Sequence, residues 1–418
     1  MKFRWESEFK ETEIGEIPRD WEVKKLGELV KEAIVGSTPL KRVSKYWISG
    51  SVPWLTNKEI EYGQINFIED TQEKVNKIAL DETNLKLIPP NSLIVSFTAS
   101  VGKVAINKVP ITTNQQFISF VLNNTSNVLF YGYYFLIAKE ILESFSGATP
   151  FSFITKESAL NIPVPFPPLS EQSRIAQVLS YFDDLIENKK KQNEILEKTA
   201  MAIFKNWFID FEPFKDQEFV YNEELGKEIP KGWEVKRLGE VFNLIKGKKC
   251  EITIEPLEEC NPYLLIETFK TGIVEFWTNE KEPYVKELDI VLVADGESSG
   301  KVLRFQEGIL GSTLLTIKPK NSSLLEEIKN YVYLTLKFNE SEIMEHRTGS
   351  AIPHLDKKFI ENYKLLIPPS SILQRFHSLI EPLFQKIILN QKQIMTLKKV
   401  RDTLLPLLVF GKLRVEEI

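Results

Sequence analysis

Two long stretches of the chain repeat apolar residues every three or four positions, the pattern of a helix with one apolar stripe. The first stretch follows the proline-rich segment PFPPLS and continues to about residue 208, and the second follows IPPSS and continues to about residue 410. Each predicts a helix of roughly 38 residues, which is near 57 Å long at about 1.5 Å per residue. The core of a single domain does not require such a length, so we expect the two helices to pack against each other.

The two predicted helices share the same register, and Lys189 and Asn390 interrupt their stripes at the same repeat position. Packing of the two helices against each other explains this match, whereas the alternative is that each helix lies alone on its own domain. Pro382 and Pro406 lack a backbone donor, so they predict a kink or an early end in the second helix. The predicted core of the helix pair is Ile175, Leu179, Phe182, Ile186, Leu196 and Ile203 with Phe376, Ile380, Leu383, Ile387, Ile394, Leu397 and Leu404.

The region before each helix has a different pattern. Short alternating stretches such as SLIVSFTAS are separated by Gly, Pro and Asn, which predicts strands joined by turns in a mixed α/β domain. The predicted fold class is therefore α+β, with two similar mixed α/β domains separated by two long helices that pack against each other. The predicted boundaries are 1–169 for the first domain, 170–211 for the first helix, 212–369 for the second domain and 370–418 for the second helix.

An internal duplication supports this organisation. The segment IPRDWEVKKLGELV returns as IPKGWEVKRLGEVF with nine of fourteen positions identical, and SVGKV returns as SSGKV. The ends of the two domains also match, at Arg174 and Arg375. A repeat of about 200 residues indicates a duplicated domain and a pseudo-twofold arrangement rather than a solenoid.

Composition and charge narrow the possible functions. The 53 basic and 58 acidic residues give a formal net charge of −5, which excludes a uniformly basic coat and leaves local patches for any nucleic-acid contact. The N-terminus is charged and has no apolar signal core, and no apolar run approaches the roughly 18 residues of a membrane span. We therefore expect a cytoplasmic protein with no membrane partner.

Known catalytic motifs are incomplete. GESSGK, from Gly296 to Lys301, has three residues between its glycines where a phosphate loop needs four, so a turn between strands is the better interpretation. Three histidines and two cysteines ten residues apart, without a CxxC or HExxH motif, argue against a metal site. None of the segments LIPPN, PFPPL and LIPPS has the acidic or amide residue that an adenine methyltransferase places before its proline pair. Catalysis is therefore not expected on this chain.

Basic residues are concentrated locally. The segment from Thr83 to Lys139 has four lysines and no acid, and a shorter basic stretch near residues 41–58 is interleaved with tyrosine and tryptophan. Basic side chains neutralise DNA phosphates, while the amides and hydroxyls of loops such as TTNQQF are suited to reading base edges. The alternatives are solvated loops and a structural role of the amides in turns.

Taken together, these segments resemble the specificity subunit of type I restriction-modification systems. The resemblance rests on IPRDWEVKKLGEL and its copy, STPLKRVSKYWISGSVPWLT, TASVGKVAI, TNQQF and GATPFSFITKESALNIPVPFPPLSEQSRIAQVL, and it covers nearly the full chain. The second copy lacks the STP…YW…PWLT pattern and has IPPSSILQRF in place of PPLSEQSRI. The resemblance therefore supports residue assignments in the second domain less directly than in the first.

The resemblance implies a non-catalytic DNA reader whose two target recognition domains each read half of a bipartite, asymmetric double-stranded DNA target. It also implies that the two long helices pack as an antiparallel coiled coil, which acts as a spacer and docks two methyltransferase subunits. Restriction subunits would complete the assembly. S-adenosylmethionine, ATP and magnesium would be used by those partners, with no cofactor or metal on this chain. A coiled-coil scaffold or adaptor with two peptide-binding domains is the main alternative, and a nuclease or methyltransferase in its own right is another.

Motif position and local charge select the candidate DNA-binding residues. They are Lys41, Arg42, Lys45, Asn114, Gln115, Gln116, Thr149 and Ser152 in the first domain, and Lys246, Lys248, Lys249, Arg304, Arg347, Ser350 and His354 in the second.

Overall fold

A computed structural model describes residues 2–98, 101–145, 154–320, 325–349 and 352–416. The chain divides into two compact units, and each unit contains part of both long helices. The first unit comprises Met1–Leu185 with Lys398–Ile418, and the second comprises Ile186–Leu397.

The first domain and the helix that follows it contain thirteen described strands and five helices. The strands are β1 Lys2–Trp5, β2 Phe9–Thr12, β3 Gly15–Pro18, β4 Glu22–Lys25, β5 Val30–Val35, β6 Val52–Leu55, β7 Ile65–Ile68, β8 Lys74–Val75, β9 Leu93–Ser96, β10 Val104–Asn107, β11 Thr112–Thr113, β12 Phe117–Leu122 and β13 Pro163–Phe166. The helices are α1 Lys77–Glu82, α2 Val128–Ile137, α3 Lys139–Phe145, α4 Lys156–Leu160 and α5 Leu169–Phe204.

The rest of the described chain contains fifteen strands and six helices. The strands are β14 Phe219–Asn222, β15 Lys227–Pro230, β16 Glu234–Arg237, β17 Phe242–Lys246, β18 Asn261–Leu264, β19 Trp277–Thr278, β20 Tyr284–Val285, β21 Ile290–Val293, β22 Val302–Leu303, β23 Gly308–Leu310, β24 Leu314–Pro319, β25 Arg347–Thr348, β26 His354–Leu355, β27 Lys364–Ile367 and β28 Leu413–Glu416. The helices are α6 Leu238–Val241, α7 Ile266–Thr271, α8 Leu325–Phe338, α9 Glu340–Glu345, α10 Lys357–Glu361 and α11 Ser370–Val409.

The core of the first domain is a five-stranded sheet in the order β5-β12-β9-β10-β7, in which only the β10–β7 pair is parallel. Every residue of β9 and β10 is buried, because α2 covers one face and a second apolar cluster covers the other. Asn127 begins α2 by accepting hydrogen bonds from the backbone N–H groups of Leu129 and Phe130, at 3.0 and 3.1 Å. A smaller sheet, β11-β6-β8, packs beside this core.

The second domain has a similar arrangement, with two four-stranded sheets. Its main sheet has the order β17-β24-β21-β22, which repeats β5-β12-β9-β10, and α8 supplies the apolar face that α2 supplies in the first domain. Its smaller sheet has the order β19-β18-β23-β20. The parallel pair β18–β23 corresponds to the parallel pair β6–β11. Two mixed α/β domains were predicted, and the structure contains them.

The long helices α5 and α11 contribute to both apolar cores. Of the predicted pair core, Ile175, Leu179, Ile186, Phe376, Ile380 and Ile387 are buried, and Phe182, Leu196, Ile203, Leu383, Ile394, Leu397 and Leu404 are half-buried. Phe384 was not predicted, although its side chain is fully buried.

The predicted early end of the second helix is wrong, because α11 runs through Pro382 and Pro406 to Val409. Each proline removes one backbone donor, and buried neighbours hold the helix together on either side, among them Ile380 and Phe384 around the first.

Candidate nucleic-acid interface

A short loop occupies the same place in both domains. It comprises residues 114–117 in the first domain and 311–314 in the second. The N–H of Asn114 donates to the carbonyl of Leu55 at 3.1 Å, and the N–H of Gly311 donates to Leu264 at 2.9 Å. After the loop, the carbonyls of Phe117 and Leu314 accept from the N–H groups of Gly36 and Gly247, at 3.1 and 2.9 Å. The two loops are therefore equivalent in backbone structure, with Asn114 corresponding to Gly311.

Further hydrogen bonds extend this equivalence to the turn after β9 and β21. The N–H of Phe97 donates to Gln116 at 3.0 Å, as the N–H of Ala294 donates to Thr313 at 2.8 Å. The carbonyls of Phe97 and Ala294 in turn accept from Ile154 and Leu355, at 3.3 and 2.8 Å. We call this set of paired backbone hydrogen bonds the shared frame.

Glycine is required directly after β5 and β17, where the chain passes close to the loop. A Cβ atom on Gly36 would lie 1.9 Å from the carbonyl oxygen of Asn114, and one on Gly247 would lie 2.1 Å from that of Gly311. Both distances are far below van der Waals contact, so any side chain at these two positions would displace the loop.

Different aromatic residues hold the same part of the frame. The indole N–H of Trp54 donates to the carbonyl of Ser37 at 3.0 Å in the first domain. The hydroxyl of Tyr263 donates to the carbonyl of Lys248 at 2.9 Å in the second. Trp54 and Tyr263 occupy corresponding strands, β6 and β18, so the two side chains perform one structural role with different chemistry.

In the second domain, the frame brings several sequence-predicted residues together around Asp295. Lys246 lies 3.0 Å from one carboxylate oxygen of Asp295, and Nδ1 of His354 lies 2.7 Å from the other. Arg347 donates from Nη1 to the carbonyl of Glu297 at 2.8 Å. Burial opposes ionisation of Asp295, but its hydrogen bonds with His354 and Lys246 outweigh burial and hold its pKa below the usual value.

The remaining lysines of this domain differ in how they are engaged. Lys248 is paired with Glu280 at 2.7 Å, whereas Lys249 is exposed and has no ion-pair partner among the described residues. Lys301, which was not predicted, is half-buried, and its ammonium likewise has no such partner in the described part of the chain. The repeated motif SVGKV and SSGKV could have identified Lys301, because its counterpart Lys103 lies in the same turn of the first domain.

In the first domain, two of the three predicted cations are already paired with acidic side chains. Lys41 pairs with Glu73 and lies over the ring of Trp47, 3.5 Å from its centroid. Lys45 is 2.5 Å from Glu82, and this hydrogen bond raises the pKa of Lys45.

Arg42 is the third predicted cation. It is exposed and has no ion pair within the described ranges. Of the three, it is therefore the most available to a phosphate.

The predicted amides separate into internal and exposed groups. Asn114 is buried, and its side chain accepts from the N–H of Gln116 and donates to the Gln116 side chain, both at 3.0 Å. Asn114 therefore shapes the loop, which corrects its predicted place at the DNA surface. Gln116 is half-buried, whereas Gln115 is exposed and hydrogen-bonded with the hydroxyl of Thr38.

Arg304 does not lie where a DNA-contacting cation would lie. It is only 5% exposed, and its Nε donates to the carbonyl of Leu288 at 2.8 Å. Its guanidinium also lies over Tyr333 and Phe384, at 4.7 and 5.0 Å from their ring centroids. This placement corrects the prediction, since Arg304 belongs to the domain core. The candidates Thr149, Ser152 and Ser350 lie outside the described residues.

Among the described residues, no group of three or more His, Cys, Asp and Glu side chains is placed to hold a metal ion. None of the described helices combines the length and apolar composition that crossing a membrane requires.

Comparison with known proteins decides the family. The profile of the type I restriction modification DNA specificity domain matches residues 18–198 and 230–399, and thus both halves of the duplication. The chain belongs to this specificity family. The MjaIX specificity subunit of Methanocaldococcus jannaschii is 43% identical over 432 residues, covering 100% of this chain and 99% of that protein.

Other members of the specificity family are more distant. The putative MjaX specificity subunit of M. jannaschii is 26% identical over 442 residues, with the same coverage. The crystal structure of a type I restriction-modification S subunit from M. genitalium matches with a TM-score of 0.56 at 20% identity, covering 93% of this chain and 96% of that one. The last comparison supports the fold, and the family assignment rests on the sequence matches.

Proposed function

We propose that this chain is the non-catalytic subunit that gives a type I restriction-modification enzyme its DNA sequence specificity. Each domain reads one half of a bipartite, asymmetric target. The observation that carries this proposal is the shared frame, which presents different exposed side chains at corresponding places in the two domains. An identical frame suits one mode of docking on a duplex, and different side chains suit two different half-sites.

We further propose that α5 and α11 form an antiparallel coiled coil that sets the distance between the half-sites. Contacts within each unit support an antiparallel course. In the second unit, Asn193 accepts a hydrogen bond from Asn390 at 2.8 Å, and Phe204, further along α5, lies by Phe376, earlier on α11, with ring centroids 6.5 Å apart.

The first unit supports the same course. Arg401 donates to Asp183 at 2.6 Å, and Ile175, earlier on α5, shares an apolar cluster with residues 405–409 of α11. In both units, residues further along α5 lie by residues that come earlier on α11, as expected for an antiparallel pair.

The proposed partners are double-stranded DNA, two modification subunits that dock on the long helices, and restriction subunits in the complete enzyme. S-adenosylmethionine, ATP and magnesium would be used by those subunits. The expected location is the cytoplasm. A net charge of −5 makes strong DNA binding by the isolated chain unexpected, because the partners would supply much of the surface that neutralises phosphates.

Selection from a randomised duplex library tests this function. The full chain is assembled with its modification subunits, and bound DNA is sequenced over successive rounds. We expect two blocks of selected bases separated by a constant length of unselected DNA. Equal recovery of all sequences would overturn the proposal and favour a scaffold with peptide-binding domains. Methyl transfer or cleavage by the chain without its partners would contradict its non-catalytic role.

A further inference from the structure

The exposed residue at the tip of each equivalent loop has a distinctive position. In the first domain it is Gln115, and the shared frame places Ser312 at the corresponding position in the second. Both side chains are exposed, although the residues on either side of them are largely buried in the frame. The backbone at these positions is held by hydrogen bonds on both sides of the loop and by the close approach of Gly36 or Gly247.

One side of the loop is bonded to the segment that carries Lys248 and Lys249. The N–H of Lys248 donates to the carbonyl of Leu310 at 3.1 Å, and the hydroxyl of Tyr263 donates to the carbonyl of Lys248 at 2.9 Å. A Cβ atom on Gly311, the residue before Ser312, would lie 3.3 Å from that hydroxyl. The loop is therefore held beside Lys248 and Lys249.

The other side of the loop is fixed to the cluster around Asp295. The carbonyl of Thr313 accepts from the N–H of Ala294 at 2.8 Å and from the N–H of Asp295 at 3.3 Å. Asp295 in turn binds Lys246 and His354. Ser312 thus lies on a loop that is bonded on one side to the segment carrying Lys248 and Lys249 and on the other side to the backbone of Ala294 and Asp295.

We infer that Ser312 reads a base of the second half-site, in the role that Gln115 has in the first. This inference rests on the proposed function and names a residue that carries it. A reader of base edges must present a donor or acceptor at a fixed position, with a cation nearby that can bind a phosphate. Ser312 is exposed on a loop held by backbone hydrogen bonds, and the exposed Lys249 directly follows Lys248, which is bonded to Leu310. The serine hydroxyl can pair with several base edges, whereas glutamine pairs bidentately with adenine, so the two residues suit different half-sites.

The test compares Ser312→Ala and Ser312→Gln with wild type, each in complex with modification subunits and selected against the randomised duplex library. We expect both variants to change the preferred bases in the second block, with the first block and the spacing unchanged. We also expect Ser312→Ala to bind the wild-type target about tenfold more weakly, the loss typical of one specific base contact. Ser341→Gln is the matched control, because Ser341 is an exposed serine of the same domain on α9, and it should keep both blocks.

The reciprocal experiment uses the first domain. Gln115→Ala should change the first block alone, and Gln72→Ala, at an exposed glutamine of that domain, should change neither.

The results separate two failures. If wild type selects two blocks and both Ser312 variants select them with unchanged affinity, the inference is wrong and the proposed function stands. If both Ser312 variants lose both blocks together, the residue supports the fold and the inference is also wrong. If wild type selects no blocks, the proposed function itself has failed.

Discussion

The two domains bury an equivalent tryptophan in different ways. Trp21 and Trp233 occupy the same place in the duplicated segments IPRDW and IPKGW. The indole of Trp21 donates to Glu171 at 3.1 Å, and Glu171 accepts from Arg414 at 2.6 Å. Around Trp233 the neighbours are instead aromatic, with ring centroids of Phe208, Phe211 and Phe214 at 5.8, 5.6 and 5.2 Å.

This difference shows which parts of a duplicated domain are free to change. An ionic cluster surrounds Trp21 and an aromatic cluster surrounds Trp233, and we call this place in each domain its junction. The fold there requires a filled volume and satisfied polar groups but no particular chemistry. The same holds in the shared frame, where Trp54 and Tyr263 hold corresponding carbonyls. The backbone hydrogen bonds and the two close-approach glycines are common to both domains, and the surface side chains differ.

The largest expected effect is the loss of the ionic junction. Arg414→Met leaves Glu171, only 4% exposed, without its charged partner, and breaking such a buried pair typically costs about 3 to 5 kcal/mol. Lys74→Met is the control, because the Lys74–Asp70 pair at 2.8 Å lies at the surface of the same domain and is screened by solvent, so its loss should destabilise far less. Hydrogen exchange of peptides containing Trp21 measures both changes. Equal small losses in the two variants would contradict the role of the junction.

Acid should distinguish the two junctions. Burial opposes ionisation of Glu6, but hydrogen bonds from Ser7, Glu8 and Arg414 lower its pKa to about 2. A hydrogen bond from Arg414 also lowers the pKa of Asp20. A lowered folded-state pKa contributes stability that is present above the unfolded-state pKa and is lost as pH falls through the folded-state pKa.

The peptide around Trp21 should therefore lose exchange protection between about pH 4.5 and pH 2. The peptide around Trp233, whose neighbours are aromatic, should lose less over the same range. Parallel losses would show that the ionic cluster does not control the acid response of its junction.

The next effect tests the shared frame itself. Gly247→Ala places a methyl group against the carbonyl of Gly311, and overpacking of this kind typically costs about 1 to 3 kcal/mol. We expect local hydrogen exchange to increase in the 311–314 loop and selection of the second half-site to weaken. Gly226→Ala provides a control for backbone strain alone, since Gly226 has φ +62° and no atom within 4 Å of its Cβ position. A loop undisturbed by Gly247→Ala would argue against the frame.

The smallest effect concerns phosphate contacts. Lys249→Ala should reduce the slope of log affinity against log salt by about one, because one phosphate contact is lost on all sequences alike. Lys248→Ala should change the slope less, since Glu280 already partly neutralises Lys248. Fluorescence anisotropy of the complex on labelled duplex DNA at several salt concentrations measures both slopes. A larger effect of Lys248 would contradict this assignment.

Much of the architecture could be predicted from the sequence, because long helices and duplicated segments leave periodic patterns. Both domains are mixed α/β, and α5 and α11 begin within one residue of the predicted positions. Their ends were predicted less well, since α5 ends at Phe204, α11 ends at Val409, and β28 lies within the segment predicted as the second helix. Arg304 was misplaced because Tyr333 and Phe384, which enclose it, come from segments that are distant in sequence.

The correspondence of Gln115 with Ser312 was missed for another reason. The segments TNQQF and LGSTL have no identical residue at corresponding positions, because backbone hydrogen bonds specify the loop and its side chains are free to differ. No local pattern in the sequence records such an equivalence.

Exchange of one domain surface tests the central claim most directly. Residues 36–150 are replaced by the corresponding segment of a relative with a different target, and the methylated sites in a host carrying the complete system are sequenced. We predict that the first block of bases changes to that of the relative while the second block and the spacing stay the same. A change in both blocks, or in neither, would contradict independent reading by the two domains.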